Sequence, residues 1–159
     1  MPSARDSNRP MSSDSVWRRA QRREHFDAGS RVITAAMVRA LVQGGGFVHP
    51  LFTDPEYARS RGIGAAPLPG QALLLLMGGL LETSGAFSTG VRSLVGYRDV
   101  AFTRRVVAGD ELGLGVDLLG TDTSDESGLG IVIARLTASV AGDPACTAVA
   151  LHLVGIDDG

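Results

Sequence analysis

The chain has 159 residues, a length that indicates one domain with room for a hydrophobic core. A formal net charge of −2 argues against a nucleic acid or an anionic membrane surface as partner, and a hydrophobic fraction of 44% excludes a disordered chain. The single cysteine, Cys146, excludes an internal disulfide.

The polar N-terminus leads us to expect no secretory signal. Residues 1–15 hold no apolar run of the kind that a signal peptide needs. We therefore expect a disordered tail over 1–15, a single domain over 16–159 and a cytoplasmic protein. Four arginines at helical spacing come next, and they indicate either a solvated helix or a clamp for a ligand phosphate: Arg18, Arg19, Arg22 and Arg23.

Capping residues mark two helices in the first half of the domain. Thr34 precedes apolar residues at helical spacing, and three glycines that begin at Gly44 end this helix. Asp54 stands before Pro55 and is expected to cap a short helix in the same way. The predicted elements are a strand at 26–31, a helix at 35–42 and a short helix that continues to residue 59.

The most apolar stretch of the chain, residues 67–84, predicts a central helix. Its apolar residues follow no single stripe, so we expect a helix that is buried all round. Pro69 suits its first turn and Gly85 suits its end. The run over 72–81 is too short to span a bilayer, which takes about 20 residues.

Beyond Gly85 the apolar residues alternate with a period of two, which is typical of strands. The pattern predicts four antiparallel strands in a meander, and the simplest way to bury the helix is to curl this sheet around it. The sequence therefore predicts an α+β fold with a long central helix wrapped by a curved antiparallel sheet. The expected strands are 91–103, 111–119, 129–140 and 146–154.

Three segments of the chain resemble the MaoC-like family of hotdog-fold, (R)-specific enoyl-thioester hydratases and dehydratases. Gly46-Phe-Val-His-Pro-Leu-Phe-Thr-Asp54 resembles the hydratase loop of that family, Gly-Asp-x-Asn-Pro-Leu-His-x-Asp. Pro67-Leu-Pro-Gly70 is similar to the family's approach to its central helix. Val100-Ala-Phe102 with Ala108-Gly109-Asp110-Glu-Leu112 is similar to the family's strand pair with the pattern RF…PV…GD.L.

The resemblance implies a hotdog fold and a groove for an acyl thioester of CoA or a carrier protein. It further implies a carbon–oxygen lyase of the hydratase or dehydratase type, in lipid or secondary-metabolite metabolism, that needs no cofactor. The catalytic Asp and His of the family fall on Phe47 and Phe52, which can neither give nor take a proton. His49 stands where the family has Asn.

The candidate catalytic residues are therefore His49 and Gly70. His49 could act as acid or base, or could hold the loop in shape. The backbone N–H of Gly70 could stabilise an oxyanion, or the glycine could merely allow a turn. The candidate substrate-binding residues are Phe47, Phe52, Tyr57 and Gln71.

Two further interpretations of the substituted loop stay open. The chain could be an inactive acyl-thioester-binding or partner subunit of a heteromeric hotdog complex, or a tailoring or cyclising enzyme that uses an apolar pocket. The three histidines show no ligand spacing, so no metal site is expected. Because strands 111–119 and 129–140 would otherwise leave exposed edges, we expect a homodimer or a hotdog heterodimer.

Overall fold

The computed structural model describes residues 14–88 and 90–156. Most of the predicted N-terminal tail lies outside these residues. The elements, in chain order, are α1 Val16–Gln21, β1 His25–Val32, α2 Ala35–Gly44, α3 Pro50–Thr53, α4 Pro55–Ser60, α5 Gly70–Thr83, β2 Val91–Phe102, β3 Glu111–Thr123, β4 Leu129–Val140 and β5 Asp143–Gly155.

Five antiparallel strands form one sheet in the order β1-β3-β4-β5-β2. The predicted four-strand meander is wrong in one respect, because β2 pairs with β5 at the far edge and not with β3. The strands expected to form exposed edges, β3 and β4, are internal, and the edges are β1 and β2. Alternation gives the inner face of a strand but not its neighbour, which explains the error.

The β4–β5 hairpin shows how closely local sequence sets the register. Val140 pairs with Asp143, which leaves Ala141 and Gly142 as a two-residue loop. Both loop residues have positive φ, 51° and 83°, as the right-handed twist of a tight hairpin requires. The last strand therefore starts three residues before the predicted residue 146.

Helix α5 starts and ends where the sequence predicts. Pro69 is its N-cap, and Gly85 follows it with a φ of 73°. The prediction of burial all round is wrong, because Leu75 is 64% exposed and Gln71 and Glu82 share the open face. The sheet covers only one side of this helix, and the other side is open.

One hydrophobic core joins the buried face of α5 to the sheet. The alternating residues of β3 are fully buried, as predicted, and pack with the inner residues of β4 and β5. The predicted α+β architecture, a curved antiparallel sheet around a long helix, is confirmed. The helix side of the core consists of Ala72, Leu73, Leu76, Met77, Leu80 and Leu81.

Helix α1 packs against β3 and β4 and adds Val16 and Ala20 to the same core. Its Trp17 ring lies on Gly130 of β4 so closely that a Cβ at this glycine would lie 2.3 Å from ring atom Cζ3. The absence of a side chain at Gly130 therefore allows the Trp17 indole to pack against the sheet.

Candidate functional site

The loop between α2 and α4 is built by two caps. His49 is the N-cap of α3, where its Nδ1 accepts a hydrogen bond from the Leu51 N–H at 3.1 Å. Asp54 caps α4 by accepting from the N–H groups of Glu56 and Tyr57 at 2.9 and 3.3 Å. The predicted capping role of Asp54 is confirmed by this geometry.

Phe47 and Phe52 meet at the centre of this loop. Their rings pack edge to face with centroids 5.5 Å apart. Phe47 lines a small cleft that it shares with Gln71 of α5, whereas Phe52 lines a different one against α2. These two apolar residues stand at the loop positions where the MaoC-like family, which this loop resembles, has its catalytic acid and base.

His49 is exposed, and its ring faces Phe52 and Tyr57, with centroids 6.4 and 5.9 Å away. Since Nδ1 accepts the Leu51 N–H, the proton of the neutral ring belongs on Nε2. His49 lines none of the clefts that we find around the start of α5 within the described residues. Its capping bond is the interaction of a residue that holds the loop in shape, and its role as acid or base stays a prediction.

Tyr57 lies on α4, and its ring packs edge to face with His49 of the preceding loop. The Arg61 guanidinium lies over its ring, 5.0 Å from the centroid. Its predicted contact with a substrate therefore gains no geometric support and stays a prediction.

The start of α5 carries open hydrogen-bond donors. Pro69 offers no side-chain cap, so the N–H groups of the first turn, from Gly70 onward, have no acceptor within the helix. A cleft of about 660 Å³ adjoins this end of the helix, with Gly70, Leu51 and Phe102 in its wall. The helix dipole adds partial positive charge at this point.

Two arginines that the sequence analysis did not single out line the same cleft. Arg104 donates to the carbonyl of Val140 at 3.1 Å and lies 3.6 Å from Asp143. Arg105 is exposed and forms no ion pair within the described residues. The pair lies in the segment that follows β2, and its place in the wall of this cleft gives the cleft a positive rim.

A longer cleft, of about 950 Å³, runs along the open face of α5. Gln71 lines it as well as the smaller cleft of Phe47, so the two clefts share a wall near the start of the helix. The cleft extends to Glu82, and at 1.5 Å per residue it follows about 16 Å of helix. A side chain at Gly78 or Gly79 would meet nothing within 4 Å, so these glycines leave the cleft open.

His152 of β5 forms part of the wall at the far end of this cleft. Only 9% of the residue is exposed, and its Nδ1 has no hydrogen-bond partner among the described residues. Burial lowers the pKa of its imidazole to about 4, so the ring is neutral at pH 7. By the alternation of β5, His152 lies on the same inward face as Cys146 and Val154, and this was the sequence signal that could have revealed it.

Two of the N-terminal arginines, Arg19 and Arg22, form ion pairs with nearby carboxylates. Arg19 is buried and bonds Glu24 at 2.8 Å, while Arg22 bonds Asp14 and Glu24 at 2.7 and 2.6 Å. The hydrogen bond from Arg19 is the main cause that lowers the pKa of Glu24. With both guanidiniums engaged by carboxylates, the phosphate clamp is the weaker of the two interpretations.

No helix in the described part of the chain combines the length and hydropathy needed to cross a membrane. Within residues 14–88 and 90–156, no three His, Cys, Asp or Glu side chains lie together as a metal site would need.

Residues 21–148 match the family model of the FAS1-like dehydratase domain region. That match spans most of the sequence, and the chain belongs to this MaoC-like hotdog family. No curated protein matches the sequence significantly.

Solved structures share the fold at low identity. The MaoC-like dehydratase from Rhodospirillum rubrum has a TM-score of 0.71 at 22% identity, over 84% of this chain and 91% of that one. The (R)-hydratase from A. caviae, involved in PHA biosynthesis, has 0.63 at 22%, over 82% and 93%. The 3R-hydroxyacyl-ACP dehydratase complex HadBC from Mycobacterium tuberculosis has 0.69 at 21%, over 82% and 95%. The hotdog fold is thus confirmed.

Proposed function

We propose that this chain binds an acyl thioester of CoA or of a carrier protein, as the acyl-binding subunit of a hydratase or dehydratase. The thioester carbonyl lies at the start of α5, and the acyl group follows the open face of that helix. A second hotdog chain supplies the acid and base. The reaction type follows the family to which the chain belongs.

The observation that carries this proposal is the uncapped start of α5 beside a cleft. The free N–H groups from Gly70 onward and the helix dipole suit the negative charge that develops on a thioester oxygen in an enolate-like transition state. Gln71, the next residue of the helix, lines the long cleft, which is where this proposal places the acyl group.

The two arginines support a substrate with a phosphate group. Both CoA and the phosphopantetheine arm of a carrier protein place phosphate at the end of a flexible arm away from the thioester. Arg105 is exposed on the rim of the cleft that Gly70 lines and has no competing carboxylate among the described residues. A guanidinium binds phosphate through charge-assisted hydrogen bonds.

The packed pair of Phe47 and Phe52 supports the view that the acid and base come from elsewhere. Neither ring can transfer a proton, and Leu51, which is the residue of that loop in the wall of the Gly70 cleft, cannot do so either. The edge strand β2 supports a second chain, since it exposes a row of apolar side chains beside unpaired backbone groups. These are Leu94, Val95, Val100 and Phe102.

A second candidate is hydration by this chain alone through His49. It is favoured by one observation: the Leu51 N–H holds Nδ1, which leaves Nε2 with the proton and free to donate it. This candidate needs the loop to move, because His49 lies outside the cleft of Gly70.

Binding measurements test the proposal. We expect butyryl-CoA and butyryl-phosphopantetheine to bind by calorimetry, and Arg105→Ala to weaken both by roughly tenfold or more. Arg135→Ala, an exposed arginine on β4, is the matched control and should leave binding unchanged. The butyryl thioester of N-acetylcysteamine has no phosphate and should not respond to Arg105→Ala. Absence of binding by every thioester, or an equal loss in both variants, would contradict the proposal.

A further inference from the structure

A separate cavity of about 470 Å³ lies between α2 on one side and α3 and α4 on the other. It shares no wall residue with the clefts that adjoin α5. Its floor is deep and apolar, because Val38 and Val42 of α2 are only 7% and 4% exposed. Sites for small molecules usually measure about 300–1,000 Å³, so the cavity has the size of a binding site that the proposed function does not use.

Capped helices hold both sides of this cavity in place. Thr34 caps α2 with a hydrogen bond of 3.1 Å, and His49 and Asp54 cap α3 and α4 on the opposite side. The half-buried ring of Phe52 lines the cavity from α3. Residues 64–66, which are glycine and alanine, line a third side without filling the space. A ligand that enters a cavity with fixed walls loses less free energy to reorganisation than one that must order them.

The wall of the cavity carries positive charge. The described residues that line it include no Asp or Glu, whereas Arg39 of α2 and Arg59 of α4 line it from opposite sides. Glu56 accepts a hydrogen bond from Arg59 at 2.6 Å and so neutralises that guanidinium. The guanidinium of Arg39 is exposed and forms no ion pair or hydrogen bond within the described residues. Gln43 also lines the cavity, one turn further along the same face of α2.

An apolar floor beside one unpaired guanidinium matches an apolar molecule that ends in a single negative charge. We propose that the cavity binds a small apolar carboxylate. Arg39 donates two parallel hydrogen bonds to the carboxylate, and the amide N–H of Gln43 donates a third. The hydrocarbon lies on Val38, Val42 and Phe52, where its burial adds to the affinity. This site is distinct from the site of the proposed function, so either one can fail without the other.

Titration of the full chain with octanoate, followed by NMR of the backbone amides, tests the site. We expect the amides of α2 to shift, with a Kd of about 1 mM for a ligand of this size. Acetate lacks the hydrocarbon and 1-octanol lacks the charge, so each should bind roughly tenfold more weakly or worse. Arg39→Gln should weaken octanoate roughly tenfold and leave 1-octanol unchanged. Arg135→Gln, at an exposed arginine on β4, is the control and should change neither.

Two neighbouring alanines at the start of α2 supply a matched pair that tests the apolar half of the site. Both are exposed, but Ala35 lines the cavity and Ala36 does not. Ala35→Leu should occupy part of the cavity and weaken octanoate, whereas Ala36→Leu should leave its affinity unchanged. Both variants should bind butyryl-CoA as the wild type does, because neither residue lines a cleft beside α5.

Three results would overturn the inference: equal affinity for octanoate and 1-octanol, an equal loss in the Arg39 and Arg135 variants, or amide shifts confined to α5. A lower oligomeric mass of Ala35→Leu with intact octanoate affinity would also overturn it, because a second copy would then cover the cavity. Failure of butyryl-CoA to bind while octanoate binds would instead contradict the proposed function and support this site.

Discussion

The ring of Phe102 lies directly against the bare Cα of Gly70, at the residue where α5 begins. A Cβ at Gly70 would stand 2.8 Å from Cζ of that ring, closer than such contacts occur. The φ of Gly70 lies outside the left-handed region, so a turn does not explain the glycine. Close approach of the Phe102 ring to the helix start explains it.

Because a ring packs on Gly70 but not on Gly78, substitution by alanine should affect the two glycines of α5 differently. Gly78→Ala should raise the free energy of unfolding by about 1 kcal/mol, because alanine favours the helix and its Cβ meets open space. Gly70→Ala should gain nothing and should lower the affinity for butyryl-CoA, because the displaced Phe102 ring moves across the helix start. Urea unfolding and calorimetry measure both. A stabilising Gly70→Ala with unchanged affinity would refute the argument.

A second pair of glycines tests how α1 is held on the sheet. Gly130→Ala should lower the free energy of unfolding by about 1–3 kcal/mol, because its Cβ would overlap the Trp17 indole. Gly115→Ala on β3 is the control, since its nearest neighbour would lie 3.9 Å away. The chain has a single tryptophan, so fluorescence reports the displacement directly. Equal stability of the two variants would show that the indole does not rest on Gly130.

Acid should destabilise the protein through His152. Burial lowers its pKa in the folded state to about 4, below the ordinary value of 6.5, so protonation favours the unfolded chain. The stability that the neutral ring contributes is complete above pH 6.5 and is lost as the pH falls, by roughly 3 kcal/mol at pH 4. Urea unfolding of wild type and His152→Leu at several pH values isolates this loss. Parallel curves for the two proteins would exclude His152 as the cause.

The exposed edge of β2 predicts self-association. We expect the chain to have twice its mass of 16.5 kDa in solution at micromolar concentration, and Val95→Glu to reduce it to the mass of one chain. Val32→Glu on the opposite edge, β1, is the matched control, since these valines are 58% and 55% exposed. Dissociation by the control and not by Val95→Glu would place the interface on the other edge.

Local patterns in the sequence predicted the elements better than their arrangement. The alternating apolar residues of β3 and the cap at Thr34 depend on near neighbours, and both are where the sequence predicts. The pairing of β2 with β5 joins residues far apart in the chain, and no local signal specifies it. The open face of α5 could not be predicted either, because a run of leucines looks the same whether a sheet or a ligand covers it.

The candidate site shows the same division. The resemblance placed Phe47 and Phe52 at two related loop positions, and their rings are in contact. It did not reveal Arg105, which lines a cleft from the segment after β2, or His152, which lines another from β5. The alternation of β5, which puts His152 on the inward face of the strand, was the available sequence signal for this residue.

The central claim is that this chain holds an acyl thioester at the start of α5 but lacks its own acid and base. Hydration of crotonyl-CoA by the purified chain, followed through the absorbance of the enoyl thioester, tests it most directly. The wild-type protein alone should bind the thioester without hydrating it, and Phe47→Asp with Phe52→His should gain hydration. Hydration by the wild-type chain that His49→Ala abolishes would contradict the claim.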